Sequence, residues 1–278
     1  MFQTPAAPRL EVADRLGLAA IIGASVVAAL GLTVPDLYRD RPILVDATRA
    51  DNLVQLALLP VALLAYVRRA TPVGRVVLVG IELYLAYFFG LYAVAAVISW
   101  ATLLNVAVVG LAVWALVLGL PATNAAAIDA VLGPRLLRRT TIGFLVLVAG
   151  FHIPLWATQI VGSAMSGALP AALVSFGWLN TPVYTFDLAF ALPLGLVAAG
   201  FLARHDQRGT MLALGFAWFS GLLGLDMFVE QLWFGATGGV LDLAQAFPFG
   251  LIFLLSALVV APTLMRRSQL PATVPVAA

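Results

Sequence analysis

The sequence has no cysteine and no lysine, and only 10% of its 278 residues are charged. Without cysteine, the chain cannot form a disulfide, a thiol redox pair, an iron–sulfur cluster or a covalently attached haem. Without lysine, it cannot form a Schiff base with retinal or pyridoxal phosphate. Walker A, GxGxxG and HExxH motifs are missing as well. These absences predict no cofactor, and they leave no residue to which a catalytic role can be assigned.

Histidine is scarce too, and this argues against a metal centre. The two histidines are His152 and His205, and His205 lies in a charged loop. One buried histidine with scattered carboxylates lacks the close ligand spacing of a zinc motif. A bis-histidine haem is disfavoured for the same reason, and we expect no metal site.

Apolar residues dominate what is present. They make up 63% of the chain, and the mean hydropathy is +1.05. Soluble domains are about half apolar and about a quarter charged, so the composition predicts an integral membrane protein whose main partner is the lipid bilayer. All fifteen basic residues are arginine and Ala, Val, Leu and Gly abound, which favours a GC-rich bacterial genome and the bacterial cytoplasmic membrane. The arginines lie in short loops, so we expect no nucleic-acid partner.

Charge-free stretches predict eight membrane spans, because about 20 apolar residues cross the hydrocarbon core. The fold class is therefore an all-α polytopic bundle, treated as a single domain over residues 1–278. The predicted spans are 16–35, 51–68, two spans within 76–128 that turn near 99–101, 139–162, 182–203, 209–231, and 242–266.

The arginines predict how the bundle is oriented. Twelve of them fall in alternate loops on one side, and only Arg39, Arg41 and Arg49 fall on the other. Cytoplasmic loops are enriched in Arg, so both termini are expected in the cytoplasm. Tryptophans are expected near the outer ends of the spans, where interfacial aromatic residues belong; these are Trp100, Trp178 and Trp233.

Two spans resemble each other in sequence. Residues 51–68 and 187–204 both run from Asp to Arg over the same length, and Gly74 and Gly209 follow shortly after. The match predicts a 4+4 parallel repeat with halves 1–134 and 135–278. The alternative is that Ala/Leu-rich spans align by chance.

Asp226 and Glu230 are one helical turn apart in an apolar span. At this spacing two carboxylates share a helix face and repel, so a proton or a cation would stabilise them. The functional interpretation is a polar pocket open to the extracytoplasmic side. The structural alternative is that Glu230 reaches the headgroups while Asp226 bonds a neighbouring helix.

Asp51 and Asp187 lie near the outer ends of the second and sixth spans. Asp46 and Thr181 are predicted N-caps, and Pro182 suits the first helical position. The two acids then fall in early turns, where the helix dipole favours negative charge. Both remain candidates for the pocket.

The remaining polar candidates are Glu82, His152, Tyr84, Tyr87 and Asn105. Charged groups at membrane depth usually face the bundle interior or a cavity. Glu82 has no obvious basic partner, and the tyrosines that follow could satisfy it or line a ligand pocket. His152 precedes Pro154 and could relay protons, touch a ligand or satisfy a carbonyl of a neighbouring helix. Asn105, with Gln159, is predicted to join helices by hydrogen bonds.

The order of features resembles a group of uncharacterised bacterial multi-spanning membrane proteins. Shared features are an Asp-headed second span (Asp51), an Arg/Gly turn (68–74), a Tyr-rich third span, an Asn-led fourth span (Asn105) and the segment TPVYTFDLAFALP (181–193). The resemblance covers most of the chain beyond about residue 35. It implies the multi-span topology and brings no activity with it.

Three functions stay open at this level. The first is transport or ligand binding of a small molecule or ion through a pocket open to the outside, along a path from Glu82 through His152 to Asp226. The second is a structural or accessory subunit, joined to a membrane protein partner or to a second copy. The third is an intramembrane enzyme acting on a lipid or quinone, so the sequence leaves the question of catalysis undecided.

Overall fold

The computed structural model describes residues 6–132, 134–170, 173–174, 181–237 and 241–265, and these residues form an all-α bundle. Eight helices are long and apolar enough to cross a membrane, which confirms the predicted count. A short helix, α5, lies between the fourth and fifth spans. The helices are α1 (Ala6–Thr33), α2 (Pro42–Val67), α3 (Pro72–Ala95), α4 (Trp100–Ala122), α5 (Ala125–Leu132), α6 (Arg135–Ser166), α7 (Pro182–Ala203), α8 (Gln207–Ala236) and α9 (Leu243–Met265).

Several helices extend beyond the charge-free stretches that predicted them. α1 begins at Ala6 rather than at residue 16, and its first turns carry an exposed ion pair between Arg15 and Glu11. α6 spans 32 residues. A helix tolerates charged residues wherever it leaves the membrane, so the length without charge measures the crossing segment and not the whole helix.

The start of α2 corrects one prediction. Asp46 is not the N-cap; the helix begins at Pro42, and Asp46 lies inside it, paired with Arg49 at 3.2 Å. Proline at the first position presets the helical φ angle and has no N–H to satisfy, so the helix starts one turn earlier. The predicted cap at the start of α7 is confirmed, because the hydroxyl of Thr181 accepts a hydrogen bond from the Val183 amide.

α7 contains a π-helical turn at Asp187–Ala191, where the Leu192 amide donates to the Asp187 carbonyl. Pro193 follows directly and has no N–H to donate to the carbonyl one turn before it. Widening the helix by one residue accommodates this gap, and such turns are frequent at functional sites. The turn places Asp187 on the inner side of the helix, where it is buried.

Both ends of the described chain and the connections at 68–71, 123–132 and 204–206 lie at one end of the bundle, which we call the Arg-rich end. Of the residues used to predict topology, Trp178, Arg266 and Arg267 lie outside the described residues. Trp100 is highly exposed at the start of α4, at the opposite end.

α3 and α8 form the centre of the bundle. Most residues of these two spans are buried, whereas fewer than half of the residues are buried in each of the other six spans. The central pair meets at Gly80 and Gly215: a Cβ at Gly80 would overlap Trp218, and a Cβ at Gly215 would lie 2.9 Å from Val79 Cγ1. Glycine at both positions allows the backbones to approach closely, as at many membrane helix interfaces.

The two halves of the chain pair their helices alike. In the first half α1 contacts α2 and α4, and α3 contacts α2 and α4. In the second half α6 contacts α7 and α9, and α8 contacts α7 and α9. The third span of one half packs on the third span of the other, as α3 on α8. This arrangement is the one that a parallel 4+4 repeat requires; common descent of the halves stays a prediction.

Candidate functional site

Three buried carboxyl groups come together where α2 and α8 meet. Asp51 of α2 is 1% exposed, Asp226 of α8 is 0% exposed, and Glu230 is 7% exposed. The three side chains are close enough to interact electrostatically with one another. We call them the acidic cluster. The sequence predicted that Asp226 and Glu230 share a face, and the structure adds Asp51 from a different helix.

Tyrosines of α3 hold two of these acids. The Tyr84 hydroxyl donates to Asp226 Oδ2 at 2.9 Å, and the Tyr92 hydroxyl donates to Asp51 Oδ2. The Gln55 amide of α2 donates in turn to the Tyr84 oxygen. A row of hydrogen bonds therefore runs from α2 through α3 to α8. Its middle member is Tyr84, whose hydroxyl oxygen accepts from the Gln55 amide and whose hydroxyl hydrogen is donated to the Asp226 carboxylate.

The other oxygen of each aspartate has no donor. Asp51 Oδ1 and Asp226 Oδ1 are both buried and unpartnered. The six ion pairs found in the described part of the chain all use other acids, namely Glu11, Asp14, Asp46, Asp129 and Asp206. Among the described residues, no arginine or histidine forms an ion pair with the three carboxyl groups of the acidic cluster. Buried carboxylates without a counter-charge are costly to keep ionised.

The cluster lies well inside the bundle. With a rise of about 1.5 Å per residue, Asp51 is roughly 14 Å from the start of α2, and Asp226 is roughly 15 Å from the end of α8. Both helix ends are at the side opposite the Arg-rich end. Glu230, one turn nearer to that side, is the member of the cluster that retains some exposure.

Asp187 forms a separate group with α6 and α3. Its Oδ1 accepts from the Tyr87 hydroxyl at 2.5 Å, and its Oδ2 accepts from Trp156 Nε1 at 2.7 Å. His152 lies one turn before Trp156 and lines the same cavity as Asp187. Its Nδ1 is 2.9 Å from the carbonyl of Val148 in its own helix, and not from a carbonyl of a neighbouring helix.

Glu82 lies apart from both groups. It is 4% exposed and faces α1, where a Cβ at Gly17 would overlap its Oε1. It interacts electrostatically with Arg75, which pairs with Asp14 at 2.6 Å near the Arg-rich end. No hydrogen bond or ion pair among the described residues joins Glu82 to His152 or to Asp226, so the path through all three stays a prediction.

The structure also reassigns the predicted partners of the tyrosines. Tyr84, Tyr87 and Tyr92 donate to three aspartates on three different spans, and none donates to Glu82. Tyr84 is two residues from Glu82, a spacing that places side chains on different faces of a helix. Helical spacing alone could have excluded Tyr84 as a partner of Glu82.

Three contributors escaped sequence reasoning, namely Gln55, Trp156 and the role of Tyr92. Tryptophan inside a span, away from the interface, is the signal that could have singled out Trp156. Gln159 does join two helices, because it accepts from the Tyr184 hydroxyl at 2.6 Å. Asn105 is buried on α4, and no described residue hydrogen-bonds with its side chain, so its predicted bridging role is not observed.

Among the described residues, no group of three or more His, Asp or Glu side chains is arranged to hold a metal ion. Comparison of the chain with protein-family models, curated proteins and solved structures finds no match. The resemblance carried by the Tyr-rich third span therefore stays a prediction, and the case for function depends on the geometry above.

Proposed function

We propose that this multi-pass membrane protein binds protons at the acidic cluster and moves them, alone or with a solute, across the bacterial cytoplasmic membrane. The observation that carries the proposal is the pair of buried, unpartnered oxygens, Asp51 Oδ1 and Asp226 Oδ1. A proton shared between two such carboxyl groups would satisfy both oxygens and remove one negative charge. Intramembrane acids of this kind are typical of proton relays.

The surroundings favour a proton over a metal cation. The hydroxyls of Tyr84 and Tyr92 already donate to the cluster, and hydroxyl and carboxyl groups exchange protons along hydrogen bonds. A metal ion would need several oxygen ligands around one centre, and the described residues provide no such group of side chains. Glu230 connects the buried aspartates to the less buried turns of α8, which is the position required of an entry group.

Labelling with a hydrophobic carbodiimide tests the proposal directly, because this reagent modifies protonated carboxyl groups inside membranes. The protein is labelled in native membranes, and the adducts are located by peptide mass spectrometry. We expect adducts on Asp51, Asp226 or Glu230 at neutral pH, and fewer adducts as the pH rises. Asp46 on the same helix as Asp51 is exposed and serves as the matched control.

A second measurement uses purified protein in liposomes with a pH-sensitive dye inside and an imposed potential. We expect proton entry for the wild type and for Asp46→Asn, and a loss of at least tenfold for Asp226→Asn. If Na⁺ protects these carboxyl groups from carbodiimide at constant pH, the bound ion is a metal cation and not a proton. Labelling no greater than that of Asp46, together with no flux, would favour the accessory-subunit hypothesis instead.

A further inference from the structure

A cavity lies beside Asp187, separate from the acidic cluster. Helices α6, α7, α8 and α9 surround it, and its polar lining consists of His152, Asp187 and Ser220. Its volume of about 40 Å³ has room for about three water-sized groups. The π-helical turn of α7 shapes one wall, where Ala191 presents only a methyl group.

Two of the polar groups that line this cavity, Asp187 and His152, offer acceptors. His152 Nδ1 donates to the Val148 carbonyl, so in the neutral ring Nε2 is the acceptor, and it has no hydrogen-bond partner among the described residues. Asp187 accepts one hydrogen bond at each oxygen, and each oxygen can accept another. No ion pair in the described part of the chain joins Asp187 to His152, so neither acceptor is occupied by the other.

Aromatic rings supply the rest of the lining. Phe216 and Phe219 of α8 lie 5.1 Å apart between ring centroids, and Phe249 of α9 completes the apolar side. The faces of aromatic rings attract cations, and more strongly where water is excluded. Asp187 interacts electrostatically with His152 but forms no ion pair among the described residues. This carboxylate, a second acceptor and several rings favour a positively charged group that carries N–H donors.

We propose that this cavity is a binding site for a small ammonium ion, either ammonium itself or a short primary alkylammonium of up to about three heavy atoms. The N–H groups donate to Asp187 and to His152 Nε2, and the carbon atoms contact the phenylalanine rings. The ion places a positive charge beside Asp187, which accepts from two donors and forms no ion pair among the described residues. The site depends on different residues from the acidic cluster and stands independently of proton transport.

Histidine NMR gives a direct test, because the chain contains only His152 and His205. The protein is labelled with ¹⁵N-histidine in lipid nanodiscs and titrated with methylammonium chloride at constant pH. We expect the His152 Nε2 resonance to move in a saturable manner, while His205, in the exposed turn before α8, stays fixed as an internal reference. Potassium chloride and tetramethylammonium chloride at equal ionic strength should leave both resonances unchanged, since neither ion donates hydrogen bonds.

Two variants identify the site. Asp187→Asn should weaken methylammonium binding at least tenfold, and Asp46→Asn should leave it unchanged. Phe219→Leu retains every hydrogen bond to Asp187 and removes one ring face, so it should weaken binding severalfold and keep the proposal testable if Asp187→Asn folds poorly. The proposal is overturned if methylammonium does not move the His152 resonance, if tetramethylammonium or potassium moves it equally, or if both variants bind as the wild type does.

Discussion

The turn before α3 and the turn before α8 are built alike from different side chains. Thr71 caps α3 and Asp206 caps α8, each accepting a hydrogen bond from an amide of the first turn. Gly74 and Gly209 follow, and at each a Cβ would overlap backbone of the preceding helix end. The same spacing along the sequence separates the two caps, the two glycines, and the pair Gly80 and Gly215 at the centre.

The next position shows where the halves diverge. After the glycine, α3 has Arg75, which pairs with the buried Asp14 of α1. At the equivalent position α8 has Thr210, whose hydroxyl donates to Asp129 of α5. In both halves a side chain in the first turn of the third span bonds an acid at the Arg-rich end, but only the first half uses a charge to do so.

The outer ends diverge further. Asp51 and Asp187 occupy corresponding places in the second span of each half, and each accepts from a tyrosine of α3. Asp187 has donors on both oxygens, whereas Asp51 has one satisfied oxygen and two acidic neighbours. The same framework therefore holds one acid whose two oxygens both accept hydrogen bonds and another with one oxygen unpartnered among the described residues.

The largest expected effect on stability is at the Arg-rich end. Arg75→Leu leaves the buried Asp14 carboxylate with only the partly exposed Arg69, and we expect a loss of about 3–5 kcal/mol in the free energy of unfolding. Thr210→Val leaves Asp129 paired with Arg138, and we expect a loss of about 1 kcal/mol. Unfolding in mixed micelles measures both losses. Equal losses would contradict the expectation that the charged contact of Arg75 contributes more than the hydroxyl contact of Thr210.

The contact between the halves comes next. Gly215→Leu places a side chain where the Cβ alone would lie 2.9 Å from Val79 Cγ1, and overpacking of this kind costs about 1–3 kcal/mol. Gly143→Leu on α6 is the matched control, because nothing lies within 4 Å of a Cβ there. Thermal unfolding should separate the two variants clearly, and a similar midpoint for both would show that α3 and α8 do not need this close approach.

Removal of charge at the two corresponding aspartates should have effects of opposite sign. Asp187→Asn turns an N–H group towards a donor, either Tyr87 or Trp156, and should lower the free energy of unfolding by about 1–3 kcal/mol. Asp51→Asn removes a repelling carboxylate and supplies an N–H donor beside Asp226, so it should raise that free energy by up to about 1 kcal/mol. Chemical unfolding of the two variants measures both changes in the free energy of unfolding. Changes of the same sign would contradict the distinction between the two aspartates.

The smallest expected effect concerns the two N-caps, Asp206 of α8 and Thr71 of α3. Hydrogen bonds from Arg208 hold the pKa of Asp206 below its usual value, so the cap is stable above the ordinary Asp pKa of about 3.9 and is lost as the pH falls through the lowered value. Thr71 does not titrate. Protection of the Arg208 amide from hydrogen exchange should therefore decrease in acid while that of Gly74 does not, and parallel behaviour would argue against a charged cap.

The sequence predicts the spans and not their contacts. Eight spans follow from apolar length because the thickness of the membrane sets that length for every polytopic protein. The pairing of Asp51 with Tyr92 depends on how far α2 and α3 are rotated about their axes, and that rotation results from packing between helices, which an apolar sequence does not record. The same holds for the partners of Tyr84 and Tyr87.

Local backbone chemistry was predictable where proline or a capping residue specifies it. Thr181 and Pro182 fix the start of α7 as expected, and Pro42 moves the start of α2 away from Asp46. A proline at position 193 must interrupt the helical hydrogen bonds of α7, but the form of that interruption depends on what the widened turn contacts. One such contact is the hydrogen bond from Trp156 to Asp187, and Trp156 lies on another span, α6.

The π-helical turn in α7 makes the number of residues in that helix a determinant of the site. Each residue of an α-helix advances its side chain by about 100° around the axis, so one added or removed residue changes the angular phase of everything beyond it. Deletion of Ala189 would close the widened turn to an α-helical one, so the direction of Asp187 relative to the rest of α7, and with it the contacts to Tyr87 and Trp156, would change. Every side chain of the site would still be present, and the carboxylate would point elsewhere.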